Sequence, residues 1–130
     1  MNKENTLRVA DAIENAELAS QDIGFNMGCY FATSTTRIVD QTGHGCTAVG
    51  CIAGWTCLLL SDFDRRRNDW EYVAAKLLDL TEDEADALFT PTKNTGAPFD
   101  IPEWDAVTAT MAVTTLRRLA ETGEVKWDPL

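Results

Sequence analysis

A chain of 130 residues, 45% hydrophobic and 25% charged, has the composition of one ordinary globular domain, which excludes disordered and collagen-like classes. Its 21 acidic against 11 basic residues give a net charge of −10, which disfavours direct binding to nucleic acid or to an anionic membrane. After Met-Asn-Lys-Glu-Asn-Thr no long apolar run follows, so neither a secretory signal nor a membrane span is expected, and the expected location is the cytoplasm.

Asn5 or Thr6 is expected to cap a first helix, in which Leu7, Ala10, Ile13 and Leu18 recur at roughly helical spacing as far as Ser20. From Ile23 to Phe31 the apolar residues instead alternate with Gly24, Asn26, Gly28 and Tyr30, the pattern of a short extended segment. Thr33 to Gly45 reads as a connection, with a second short extended piece at Thr36 to Val39. Cys46 to Leu60 carries no charge and is expected to be a buried central helix. Ser61 to Arg67 breaks the pattern, and Asn68 or Asp69 starts a third helix with an apolar face of Trp70, Val73, Ala74 and Leu77, ending near Asp79.

Thr81-Glu82-Asp83-Glu84 has capping-box spacing and opens a short helix through Phe89. Pro91, Gly96 and Pro98 mark a loop from Thr90 to Phe99. Asp100-Ile101-Pro102-Glu103 is expected to open the last long helix, lined by Trp104, Val107, Met111, Thr115, Leu116 and Leu119 and ended by Gly123. Val125 and Trp127 form a tail that tucks back. All four tryptophans, Trp55, Trp70, Trp104 and Trp127, fall at inward positions and read as core anchors.

Chemistry concentrates between Gly43 and Cys57, which holds three of the four cysteines and the single histidine. On a regular helix Cys46 and Cys51 point about 140° apart, Cys51 and Cys57 about 120° apart, and Cys46 and Cys57 lie about 16 Å apart along the axis. One zinc ion cannot join them, and no Cys-x-x-Cys or His-x-x-x-His pair is present, so no metal site is expected. Without an export signal, Cys29, Cys46, Cys51 and Cys57 read as reduced thiols. A helix entrance at Gly43, His44, Gly45, Cys46 and Thr47 could cradle an anion or nucleotide, although no Walker lysine and no G-x-G-x-x-G accompanies it. The same place could hold a thiol enzyme, with Cys46 the nucleophile and His44 its base. The bland alternative is packing: Gly50 and Gly54 share one helix face and admit a close neighbour.

The charge is uneven. From Asp79 to Asp105 eight acids face Lys93 alone. Of these, Asp79, Glu82, Asp83, Glu84, Asp86, Glu103 and Asp105 are the candidate partner-binding residues, able to dock on a basic protein groove or to imitate a nucleic-acid backbone. Compensation of helix N-termini accounts for several of them without a partner. Arg65, Arg66 and Arg67 are offset by Asp62, Asp64 and Asp69 and read as solvated surface.

The string Cys46-Thr47-Ala48-Val49-Gly50-Cys51-Ile52-Ala53-Gly54-Trp55, taken with Ala74 to Thr81, Glu84 to Phe89 and Leu119 to Trp127, resembles short uncharacterised bacterial, notably actinobacterial, and phage proteins with a C-x-x-x-x-C-I-A-G-W core. The resemblance implies a phage or mobile-element setting, in which small acidic proteins often bind host factors, and implies no catalytic residue. The fold expected is mainly α: a single compact domain of about five helices around a buried central helix, with a short extended segment in the N-terminal third. The function expected is non-enzymatic binding to a basic protein, with no cofactor; a ligand site at Gly43 to Thr47 and the Cys46–His44 thiol chemistry are the alternatives.

Overall fold

The computed structural model describes residues 1–18, 23–25, 48–50, 52–61 and 70–130. They are mainly helical: α1 (Lys3–Leu18), α2 (Ile52–Leu60), α3 (Trp70–Leu78), α4 (Glu82–Phe89) and α5 (Ala109–Thr122), with 3₁₀ turns at Lys93–Thr95 and Ile101–Ala106. Two short strands, β1 (Ile23–Phe25) and β2 (Ala48–Gly50), pair in parallel with Ile23 opposite Ala48 and Phe25 opposite Gly50.

The first helix begins earlier than expected. Asn2 supplies the cap, its Oδ1 accepting the Asn5 N–H at 3.0 Å, while the Thr6 hydroxyl donates to the Asn2 carbonyl at 2.8 Å and is buried by doing so. The buried stripe is therefore Thr6, Val9, Ala10 and Ile13, at i, i+3, i+4 and i+7; Leu7 is only half-buried. Asn5 is released from capping and turns to α3, where its Nδ2 donates to the Leu77 carbonyl at 2.8 Å.

That contact completes the end of α3. Asp79 adopts a left-handed φ of 54°, so that its N–H reaches Lys76 O and the Leu80 N–H reaches Ala75 O, the two bonds of a Schellman closure. Leu78 O accepts from the Asn2 N–H at 2.6 Å. All four carbonyls a helix end leaves open thus have a donor, two of them supplied by the start of α1.

Residues 48–50, expected inside the helix that begins at Cys46, are strand, and α2 starts at Ile52. Thr47, β-branched Val49 and Gly50 are poor helix formers, and pairing with β1 gives the backbone at 48–50 its alternative partners. Within α2 the six residues Ile52 to Cys57 are all buried. On α3 the buried face is Trp70, Ala74 and Leu78, whereas Val73 and Leu77 are half-buried.

The single long helix expected from Asp100 is two pieces. Asp100 caps the 3₁₀ turn, Val107 is extended and buried, and α5 starts afresh with the Thr108 hydroxyl accepting the Met111 N–H at 3.2 Å. Two adjacent β-branched residues, the second a good cap, favour that break. The indole N–H of Trp104 donates to Pro91 O at 2.7 Å and ties the turn to the segment after α4. Gly123 ends α5 with φ 78°, its N–H on Leu119 O.

Among the described residues the most extensive helix pair is α1 with α5. Arg117 crosses between them, with Nη1 and Nη2 on the two Glu14 oxygens at 2.8 and 2.9 Å and Nη2 on Asp11 at 3.0 Å. One apolar cluster draws on every helix and on the tail, where Trp127 meets Phe99 edge to face at 5.6 Å and donates to Ala87 O. Trp55, Trp70 and Trp127 are buried and Trp104 half-buried.

Candidate functional site

The helix that carries the acids is set by its first residue. Thr81 is extended (φ −72°, ψ 165°), its hydroxyl accepts the Glu84 N–H at 3.2 Å, and its own N–H donates to Glu84 Oε1 at 2.9 Å. This reciprocal pair orients α4 with Leu88 and Phe89 in the core and Glu82, Asp83 and Asp86 exposed. Glu84 is half-buried and committed to the cap. Glu82 and Asp86, four residues apart, share a face of the helix.

Asp79 stands just before α4, its side chain 85% exposed and its Oδ2 3.8 Å from the Met1 ammonium. Glu103 and Asp105 lie in the 3₁₀ turn Ile101–Ala106. Glu103 is used locally, its Oε2 3.4 Å from the Asp100 N–H. Trp104 fastens that turn to Pro91, which follows the C-terminal end of α4. The expected set therefore spans two elements: Asp79, Glu82, Asp83, Glu84 and Asp86 lie on or just before α4, and Glu103 and Asp105 lie in the turn Ile101–Ala106. Among the described residues no lysine or arginine forms an ion pair with Glu82, Asp83 or Asp86.

Alongside this face α3 and α4 enclose a groove of about 420 Å³ lined by Glu71, Tyr72, Ala75, Lys76, Leu80, Glu82, Ala85 and Asp86. Tyr72 is 62% exposed, and Lys76 Nζ lies 4.8 Å from its ring centroid. The Tyr72 oxygen, as acceptor of a hydrogen bond from the ammonium and through its charge interaction, raises the Lys76 pKa above its ordinary value. Sequence reasoning from the apolar face of α3 passed over Tyr72 and Lys76, which stand outside that face. Their i, i+4 spacing, matched by Glu82 and Asp86 on α4, is the pattern that could have found them.

Gly43, His44, Gly45, Cys46 and Thr47, and with them both the ligand entrance and the thiol pair, lie outside the described residues, as do Cys29 and Cys51. Cys57 is buried on α2, and its Sγ donates to Trp70 O at 3.4 Å, a packing role. Among the described residues no helix is long and apolar enough to cross a membrane. Comparison of the chain with protein families, with curated proteins and with solved structures finds no match.

Proposed function

We propose that this protein is a non-enzymatic binding protein that engages a basic surface of another protein through the acidic outer face of α4. One observation supports the reading above the rest: Glu82, Asp83 and Asp86 are exposed and have no ion-pairing cation among the described residues. Compensation of the α4 dipole accounts for acids in its first turn, but not for Asp86 in the second, on the same face as Glu82. A short, capped helix already fixes the backbone that carries these carboxylates, so little backbone freedom is lost on docking, and a net charge of −10 speeds encounter with a cationic partner. The resemblance to short actinobacterial and phage proteins makes a host factor the proposed class of partner.

Tagged protein recovered at low salt from cells that produce it tests the reading. A basic protein should be captured by the wild type and lost from the triple variant E82K/D83K/D86K. Reversal at Glu121 in the last turn of α5 and at Glu124 just beyond it should leave capture intact. Equal capture by wild type and triple variant would refute the proposal.

A further inference from the structure

The groove between α3 and α4 adds an aromatic ring and an apolar floor to the acidic face, and the two together specify more than a positive charge. Ala75, Leu80 and Ala85 give apolar surface, Tyr72 offers an exposed ring, and Glu82 and Asp86 line the groove with no ion-pairing cation among the described residues. Lys76 lies over the Tyr72 ring, so that ring already attracts a cation. The geometry points to this groove as the receptor for an arginine side chain of a basic protein segment, its guanidinium stacked on Tyr72 and paired with Glu82 or Asp86. The inference rests on the binding reading above and names what is recognised.

Charge complementarity selects a cation, and the ring selects which one. A guanidinium is planar and weakly hydrated, competes with the Lys76 ammonium for the ring face, and can direct two N–H groups at one carboxylate; an ammonium does neither as well. Its methylene stem covers apolar surface of the kind that Ala75, Leu80 and Ala85 supply.

The test titrates the full chain with a short fluorescein-labelled peptide alternating arginine and glycine, and with its lysine counterpart, by anisotropy at one low ionic strength. The wild type should bind the arginine peptide roughly threefold more tightly than the lysine peptide. Tyr72→Ala should abolish that preference while retaining lysine-peptide binding, and Tyr72→Phe should keep it. Because Tyr72 is exposed, neither change enters the core. A readout without any variant is the NMR shift of the Tyr72 ring protons, expected on addition of the arginine peptide and larger than with the lysine peptide at equal saturation. Equal affinities for the two peptides, a preference that survives Tyr72→Ala, or unmoved ring protons would overturn the groove. If both peptides bind equally and E82K weakens both, the groove fails and the acidic-face reading stands; if neither binds, both fail.

Discussion

Asn5 shows how one side chain can be read correctly as polar and helix-initial yet do another job. Its amide meets the Leu77 carbonyl at the end of α3, sequence-distant by most of the chain, and no local pattern announces that partner. Asn5→Ala would leave that carbonyl without its donor, and a loss of about 1 kcal/mol is expected from urea denaturation. Asp79 is the converse case. It holds a left-handed φ of 54° at the negative end of α3, where glycine avoids the Cβ clash and an anion is unfavourable, and its ion pair is too exposed to offset this. Asp79→Gly should therefore raise stability, by about 0.5–1 kcal/mol in the same assay.

Glu14 gives a pH dependence whose sign is fixed. The side-chain hydrogen bond from Arg117, aided by its charge, holds the Glu14 carboxyl below its ordinary value of 4.5, against a smaller opposing effect of burial. A depressed carboxyl stabilises the fold above that ordinary value and loses the contribution as pH falls through the folded value. Melting temperatures of wild type and Glu14→Gln should differ most near neutrality and converge as pH drops below 4.5. A gap that stays constant into acid would show that the Arg117 clamp contributes nothing electrostatic.

At the level of elements, signals carried by neighbours in sequence were legible and signals carried by distant backbone were not. Thr81 and Glu84 form the expected capping box, and Gly123 occupies the left-handed position that ends α5. The break at Val107-Thr108 was missed because the apolar spacing runs on through it: Trp104, Val107 and Met111 remain in helical phase while the backbone is not helical. Thr108 carries that break. Thr108→Ala removes the hydroxyl that accepts the Met111 N–H, and a loss of about 1 kcal/mol is expected by thermal denaturation, with Thr108→Ser close to wild type. Residues 48–50 were misplaced for a related reason, since an uncharged run suits a buried strand and a buried helix equally and only a partner strand decides.

For the molecule as a whole, charge was legible and its arrangement was not. The count of acids between Asp79 and Asp105 foretold an acidic region, but Glu103 and Asp105 lie on a separate turn fastened to Pro91 by Trp104, and caps absorb Glu84 and Glu103. What remains is a smaller face on α4, beside a groove whose ring lies on a different helix. The most direct measurement is the Kd of the captured basic protein for wild type and for E82K/D83K/D86K, by biolayer interferometry at two ionic strengths. The variant should bind roughly tenfold or more weakly, and the wild-type affinity should fall as salt rises. Equal affinity for the two proteins, with no response to salt, would contradict the assignment of binding to this face.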